Sequence, residues 1–146
     1  VIIANSRVPT GSMENTIMSH SRVIGSRLAY INSEPERGDV VIFKFPDNRE
    51  VYYVKRVIGL PGETVNVVDG KVYINDSQTP LDEPYLPEPM EGSYGPYTVP
   101  EGCYFMMGDN RNNSLDARFW KNQFVPKKDI MAKVLFCYYP KIGKVE

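Results

Sequence analysis

Residues 63–76 read ETVNVVDGKVYIND, and apolar and polar side chains alternate on both sides of Asp69 and Gly70. A period of two is typical of a strand that buries one face. An Asp-Gly pair between two such runs favours the two-residue turn of a β-hairpin, because both residues tolerate positive φ. This stretch predicts a hairpin and indicates a fold built from strands.

Further runs rich in Val, Ile, Tyr and Phe end at Pro, Asp or Gly, which is the pattern of short strands. They cover residues 38–45, 49–60, 103–108 and 129–139. A sustained helical period is absent from the sequence, although residues 115–120 are compatible with one short helical turn. The chain is therefore predicted to be mostly β, and its 146 residues suffice for one domain with its own core.

The prolines are concentrated in one stretch, which we call the proline-rich excursion. Residues 76–101 contain six of the twelve prolines and six acidic residues, with no lysine or arginine. Proline donates no ladder hydrogen bond, so this stretch is not a central strand. We predict an extended surface excursion between two blocks of strands.

Charge and cysteine content exclude several classes of protein. Seventeen basic residues nearly balance eighteen acidic ones, so we predict no nucleic-acid partner. Cys103 and Cys137 lie in apolar runs, and their number fits neither a disulfide framework nor a metal site. We expect buried free thiols, with a single disulfide as the open alternative. The sequence predicts no metal and no cofactor.

The chain begins with the apolar residues VIIAN, residues 1–5, and not with Met. Such a beginning is compatible with a core strand or with the end of a membrane segment that has been removed. No apolar run in the sequence approaches the roughly 18 residues that cross a bilayer. Composition alone favours the core strand.

Residues 10–17, TGSMENTI, place Ser12 directly after Gly11. Such a serine is usually a turn residue, and as a nucleophile it would need a base. The single histidine, His20, lies in a polar, loop-like stretch, so a Ser-His-Asp triad is possible only formally. Neither a G-x-S-x-G elbow nor an S-x-x-K motif occurs. Lysine is the better candidate, because burial among apolar neighbours lets it lose its proton, and Lys55 lies within the apolar run VYYVKRVIG.

A polar stretch, residues 107–118 (MGDNRNNSLDAR), directly follows an apolar predicted strand. Ordinary Asx-turn chemistry would explain a polar loop, but it does not require this many charges. The hydroxyl of Ser114 is suited to orient a neutral lysine amine. The charged residues that would brace the loop are Asp109, Arg111, Asp116 and Arg118.

Four stretches resemble, in the same order, the sequence boxes of type I signal peptidases. They are PTGSMENTI (9–17), GDVVIF (38–43), YVKRVIGLPGE (53–63) and GDNRNNSLDAR (108–118). The resemblance runs from about Val8 to Arg118 and resumes weakly at residues 128–140. The last two boxes together are highly specific for the family.

The resemblance implies a membrane-anchored serine endopeptidase that cleaves N-terminal signal peptides from exported preproteins with a Ser/Lys dyad. It implies a mostly β catalytic core, here residues 1–63 and 103–146, and a variable, β-rich and proline-rich insert, here residues 64–102. The family's N-terminal transmembrane helix ends shortly before the nucleophile box. We therefore expect such a helix upstream, VIIAN as its exit segment, the lipid bilayer as a partner and an extracytoplasmic catalytic domain at the cell membrane.

Family roles transfer to matching positions of this sequence. Ser12 matches the nucleophile and Lys55 the general base, while the Ser12 amide and the Thr10 hydroxyl match the oxyanion hole. The lysine-orienting and supporting positions are Ser114, Asp116, Arg118 and Arg56. The positions expected to contact substrate are Ser6, Val8, Pro9, Met13, Ile17, Tyr53 and Val54. We expect an extended peptide with small residues before the cut to add as a strand through the free amide of Ser6.

This sequence departs from the family pattern at three positions. Thr10 stands where the family often has Ser, which keeps the hydroxyl donor. Asn15 replaces a usual Pro, so the turn after the nucleophile is less rigid than expected. Ala117 replaces a common Ser, and we expect that change to be neutral.

Two alternatives remain open from the sequence. A self-cleaving repressor-type protease would share the dyad and the broad fold, but the sequence shows no DNA-binding module and no internal cleavage site near Ser12. A non-catalytic β-rich peptide-binding module would have no need of the apolar-strand lysine, Lys55.

Overall fold

The computed structural model describes residues 3–146, and most of its regular structure is strand. The strands are β1 (Ile3–Arg7), β2 (Arg22–Ser26), β3 (Val40–Lys44), β4 (Tyr52–Gly59), β5 (Thr64–Val68), β6 (Lys71–Ile74), β7 (Tyr94–Thr98), β8 (Cys103–Met107), β9 (Val125–Pro126), β10 (Ile130–Tyr139) and β11 (Gly143–Lys144). Two single-turn 3₁₀ helices cover Arg111–Asn113 and Lys127–Asp129. The predicted mostly β fold is confirmed.

The strands form two antiparallel sheets. The larger has the order β1-β2-β10-β3-β4-β8-β9, with β11 paired to β10. The smaller has the order β6-β5-β7 and comes entirely from residues 64–98, within the predicted insert. The division into a catalytic core and a variable insert stays a prediction.

The hairpin predicted around Asp69 and Gly70 joins β5 to β6. Both residues have positive φ, 48° and 78°, and Val68 pairs with Lys71 across the turn. The proline-rich excursion leaves this sheet after β6 and returns as β7, which is an edge strand. Pro96 is tolerated there because it lies on an edge strand, at a point where the register between β5 and β7 shifts.

The structure corrects one expectation about helices. Residues 115–120 form a turn and not a helix, and the nearest helical turn is the 3₁₀ segment Arg111–Asn113. The apolar side chains of 115–120 do not repeat on one face: Ala117 is buried, whereas Leu115 and Phe119 are exposed.

Alternate side chains of β3 enter two different cores. Val41 and Phe43 belong to the larger core, which lies between the two sheets, while Val40 and Ile42 belong to the smaller core beneath β1, β2 and β10. Because successive strand residues face opposite sides, a strand covered on both faces is apolar at every position. The larger sheet is therefore covered on both faces along β3, and in the neighbouring β4 the residues from Lys55 to Gly59 are buried.

The two cysteines are free, and both are half-buried. The expected full burial is wrong, because Cys103 begins β8 beside the short edge strand β9 and Cys137 lies near the open end of β10. Within residues 3–146 we find no helix of the length and apolar character needed to span a bilayer.

Gly70 generates a prediction about stability. A Cβ at this position would overlap the carbonyl oxygen of Met90 in the excursion, and the φ of 78° is unfavourable for alanine. We expect Gly70→Ala to lower the free energy of unfolding by at least about 1 kcal/mol more than Gly102→Ala. Gly102 is the matched control, with a φ of 73° and no atom near its Cβ position. Urea unfolding measures both, and equal losses would mean that the excursion does not pack on the hairpin.

Candidate active site

Ser12 and Lys55 meet in the structure although 42 residues separate them in the chain. Ser12 lies in the turn that follows β1, and Lys55 lies within β4, which pairs with β3 and β8. The Nζ atom of Lys55 is 2.6 Å from the Oγ atom of Ser12, and the residues are 4% and 5% exposed. A hydroxyl and an amine at this distance can exchange a proton directly.

The surroundings of Lys55 favour its neutral form. Burial lowers the pKa of Lys55 from 10.5 to about 8, against a smaller opposing effect of the Asp116 carboxylate. The face of the Tyr53 ring lies 5.2 Å from Nζ and favours the ammonium form, so burial lowers the pKa of Lys55 against this contact as well. At pH 7, a pKa of about 8 leaves roughly one lysine in ten neutral, compared with roughly one in three thousand at a pKa of 10.5.

Three other buried cations near this site each have a carboxylate partner. A guanidinium does not lose its proton in proteins, so it needs such a partner when buried. The pairs are Arg56–Asp109, Arg118–Asp116 and Arg111–Glu83. Lys55 has no carboxylate within ion-pair distance among residues 3–146. It is therefore the buried cation that can deprotonate.

The loop after β8 forms hydrogen bonds both to the turn that carries Ser12 and to β4. Asp109 accepts hydrogen bonds from Nε and Nη2 of Arg56 at 2.8 and 2.7 Å, and from the hydroxyl of Thr16 at 2.5 Å. The amide of Asn110 donates to the carbonyl of Ser12 at 2.8 Å, and its side chain donates to the carbonyl of Gly11 at 3.0 Å. The sequence analysis assigned no role to Thr16 or Asn110; their only signal was membership of the family boxes.

Asp116 and Arg118 form the ion pair that the resemblance implied. Asp116 also accepts a hydrogen bond from the amide of Gly108 at 3.0 Å, so it holds the start of the loop as well as its end. Arg118 donates to the carbonyl of Arg111 at 2.8 Å. The pair thus closes the loop on itself.

Ser114 does not occupy its expected position relative to Lys55. Its side chain is buried, and its Oγ atom has no hydrogen-bond partner within residues 3–146, so no bond to the lysine amine is formed. The hydroxyl lies against Gly108, where a Cβ would collide with both Ser114 and the carbonyl of Ser12. The structure places Ser114 near the backbone of Ser12 without pairing it with Lys55.

Thr10 stands on the solvent side of the nucleophile. Its Oγ1 atom is 3.3 Å from the Oγ atom of Ser12, and the residue is exposed. An exposed hydroxyl at this distance is suited to contact an atom that reacts with Ser12.

A groove of about 340 Å³ runs over the dyad between the end of β1 and the start of β4. Of the residues predicted to contact substrate, it is lined by Ser6, Val8, Pro9, Tyr53 and Val54. Met13 and Ile17 do not line it, because they are fully buried in the smaller core. Lining residues that the sequence analysis missed are Arg7, Ile42, Val51, Tyr52, Asn113 and Leu115. Ile42 was within reach of sequence reasoning, because it pairs with Val54 across β3 and β4.

Hydrogen bonding along β1 corrects the prediction for Ser6. The amide of Val8 donates to the carbonyl of Ser21 at 2.8 Å, toward β2. Amides of alternate residues in a strand point the same way, so the amide of Ser6 also faces β2, where Ser6 pairs with Val23. Arg7, not Ser6, directs its amide to the open edge of the sheet.

His20 is exposed, and its partner is Arg7 and not Ser12. The Nη2 atom of Arg7 donates to Nδ1 of His20 at 2.9 Å. The prediction of a loop histidine agrees with this position. In the part of the chain that the structure describes, no group of His, Cys, Asp and Glu side chains could hold a metal ion.

The pKa of Lys55 can be measured without any assumption about activity. In protein with ¹³C at lysine Cε, we expect one lysine signal, that of Lys55, to titrate near pH 8. Lys55→Ala should remove that signal alone. A spectrum in which every lysine titrates above pH 10 would contradict the inferred effect of burial.

Comparison with known proteins places the chain in a family. The sequence model of the family described as "Signal peptidase, peptidase S26" matches residues 1–139. A probable signal peptidase I-2 of Synechocystis sp. is 38% identical over 144 residues, which are 94% of this chain and 64% of that protein. Signal peptidase I S of Bacillus subtilis (strain 168) is 37% identical over 150 residues, 95% of this chain and 78% of that protein.

The fold agrees with the sequence comparison. A crystal structure of a signal peptidase I from Enterococcus faecalis V583 superposes with a TM-score of 0.58 and 35% identity, and covers 69% of this chain and 97% of that one. The chain spans 64% of the length of the Synechocystis relative, so it corresponds to a part of that protein. The matches in sequence and structure name the same family, and the chain belongs to the signal peptidase family, peptidase S26.

Proposed function

We propose that this chain is the catalytic domain of a signal peptidase I, a serine endopeptidase that cleaves N-terminal signal peptides from exported preproteins with a Ser/Lys dyad. The observation that carries the proposal is the 2.6 Å contact between Ser12 and a buried Lys55 that lacks a carboxylate partner. Family membership supports the reaction class, and the apolar groove over the dyad supports a peptide substrate.

Neutral Lys55 is the general base of the proposed reaction. It takes the proton of Ser12 as Oγ attacks the scissile carbonyl, and it then gives that proton to the leaving amine. An ester between Ser12 and the signal peptide remains. Lys55 next takes a proton from the water that hydrolyses this ester and returns it to Oγ.

Thr10 and Ser12 supply the proposed oxyanion hole. The amide of Ser12 and the hydroxyl of Thr10 would donate to the oxygen that becomes negative in the transition state. The position of the Thr10 hydroxyl, 3.3 Å from Oγ of Ser12, supports this role. Loss of one such donor typically raises the barrier by about 3–4 kcal/mol.

The supporting residues keep Lys55 neutral and in place. Asp116, Arg118 and Arg56 would hold the loop and β4 through ion pairs that leave no carboxylate for Lys55. Ser114 would orient the amine by accepting its hydrogen bond once substrate occupies the groove. The unpartnered hydroxyl of Ser114 supports this assignment, because buried hydroxyl groups normally have a partner.

The substrate is proposed to be an extended signal peptide with small residues at the first and third positions before the cut. Val8, Tyr53 and Val54 line the groove, and their apolar side chains are proposed to form the pockets for those small residues. Met13 and Ile17 would close the pockets from beneath, within the core. The peptide would pair with the open edge of β1, where main-chain hydrogen bonds give affinity.

We further propose that an N-terminal transmembrane helix holds this domain at the extracytoplasmic side of the cell membrane, with the bilayer as its second partner. The resemblance to the family supports that location. In the same proposal, residues 1–63 and 103–146 form the catalytic core and residues 64–102 the variable insert.

The dyad is tested with a peptide that carries Ala at the first and third positions before the cut. We expect Ser12→Ala and Lys55→Ala to reduce kcat/KM to background in folded protein, and Lys55→Arg not to restore it, because a guanidinium cannot accept the proton. For the wild type, kcat/KM should rise with pH through a group near 8, since the neutral lysine is the reactive form. His20→Ala is the control with near-normal activity. A dead His20→Ala together with an active Lys55→Ala would refute the dyad.

Strand addition is tested at Arg7. Arg7→Pro removes only the amide that faces the open edge, so peptide inhibitors should bind more weakly by roughly 1–3 kcal/mol with little loss of stability. Arg7→Gln is the control for the side chain and should bind nearly as the wild type does. Ser6→Pro should instead lower the free energy of unfolding, because it removes a hydrogen bond to β2. Unchanged affinity in Arg7→Pro would show that peptides bind elsewhere.

A further inference from the structure

The proline-rich excursion enters the interior next to the active-site loop. Although its composition predicts a solvated surface segment, Glu83 has a side chain that is only 5% exposed. Tyr85 lies over the guanidinium of Arg56 at 3.8 Å and donates its hydroxyl hydrogen to Glu83 at 2.7 Å. Two side chains of the excursion therefore touch the charged groups that hold the catalytic loop.

Glu83 forms both hydrogen bonds of a bidentate ion pair with Arg111. Nη1 of Arg111 lies 3.0 Å from one carboxylate oxygen and Nη2 is bonded to the other. The Arg111 side chain is fully buried. Because a guanidinium cannot lose its proton, removal of this carboxylate would leave a buried positive charge without a partner.

Arg111 connects Glu83 to the nucleophile turn in two steps. Its Nε atom donates to the carbonyl of Gly108 at 2.9 Å. Gly108 in turn packs against the carbonyl of Ser12 so closely that no Cβ would fit. A shift of Arg111 toward another carboxylate would therefore displace the backbone that lies against Ser12.

Another carboxylate that acts on Arg111, that of Asp109, already has hydrogen-bond partners. Asp109 interacts electrostatically with Arg111 and joins Arg56 to Thr16. An unpaired Arg111 would draw Asp109 away from that junction. With Glu83 in place, each of the three buried arginines, Arg56, Arg111 and Arg118, has its own carboxylate partner.

We propose that Glu83 is a positioning residue of the active site, which balances the charge of Arg111 and so holds the 108–116 loop against the turn that carries Ser12. The proposal rests on the function proposed above, and it assigns a part in catalysis to a residue outside every family box. Tyr85 supports Glu83 by covering Arg56 and by its hydrogen bond.

The role predicts a specific electrostatic effect on Lys55. The charged groups near Lys55 are Asp116 and its partner Arg118, with the Tyr53 ring and Ser12 as its uncharged neighbours. Removing the Glu83 charge leaves Arg111 as excess positive charge in this buried region, which disfavours the ammonium form. The pKa of Lys55 should fall. A substitution that only loosened the fold would expose Lys55 to water and raise its pKa toward 10.4.

The test compares Glu83→Gln with Glu88→Gln, an equal charge change at an exposed site of the same excursion. Within residues 3–146, the Glu88 carboxylate accepts one hydrogen bond, from the side-chain amide of Asn112 at 3.0 Å. We expect Glu83→Gln to lower the pKa of Lys55, followed by ¹³C NMR, by about half a unit or more. It should also slow acylation of Ser12 by a serine-reactive probe at least about tenfold at a pH where Lys55 is neutral. Glu88→Gln should match the wild type in both.

The double variant Glu83→Gln/Arg111→Gln separates charge from position. It has no unpaired charge, so Lys55 should titrate as in the wild type, while acylation stays slow because the link to Gly108 is lost. If Glu83→Gln does not fold, this variant carries the test. A wild-type acylation rate in the double variant, or wild-type pKa and rate in folded Glu83→Gln, would overturn the proposal. Failure of the wild type to cleave peptide would instead refute the proposed function, since the NMR titration does not depend on cleavage.

Discussion

The burial of Lys55 beside Ser12, without an ion-pair partner among residues 3–146, is the interaction on which the rest of the site depends. Burial removes hydration from the ammonium group and the Asp116 carboxylate compensates only in part, so the pKa of Lys55 falls to about 8 and the amine becomes a base near neutral pH. Burial also disfavours the charge of the nearby guanidinium groups, but these groups cannot lose a proton. Each of them is therefore paired with a carboxylate. A carboxylate added beside Lys55, or one removed from an arginine, would change the pKa of Lys55, on which the proposed chemistry relies.

The fold meets two opposed demands. The amine of Lys55 must be shielded from water for its pKa to fall. It is shielded because β4 lies between β3 and β8, in a sheet whose faces are covered by two cores. The proposed reaction also requires a peptide to reach Ser12, and β1, which leads into the turn that carries Ser12, is the end strand of the same sheet. An open edge invites pairing with other chains. Here the edge strand is only five residues long, it ends at the charged Arg7, and Pro9 follows two residues later, which limits what can pair with it. One sheet thus supplies both a buried base and an accessible edge.

The features that could be predicted from the sequence are those that depend on a local pattern or on a single residue type. The Asp69-Gly70 hairpin, the long strands and the approach of Ser12 to Lys55 follow from periodicity, turn chemistry and the motif boxes. The amide of Ser6 was misjudged, because its direction is set by which residues of β2 it faces. Met13 and Ile17 were expected in the groove, since apolar residues suit a pocket and a core equally well. Ser114 was expected to touch Lys55, but the path of the loop backbone, fixed by Asp109 and Asp116, turns its hydroxyl toward Gly108.

The composition of the proline-rich excursion does not reveal that one of its acidic side chains is buried in an ion pair. Six acids without a lysine or arginine suggest a uniformly solvated segment. The structure uses one of these acids, Glu83, against an arginine that lies 28 residues later in the chain. The other acids face solvent or bind exposed groups, so their charges are screened and contribute little. Only the buried carboxylate lies in a region of low dielectric constant. There its electrostatic interactions with the other charges of the loop are stronger than they would be in water. The excursion therefore contributes one buried carboxylate to Arg111, together with the Tyr85 side chain that packs over Arg56 and donates a hydrogen bond to Glu83.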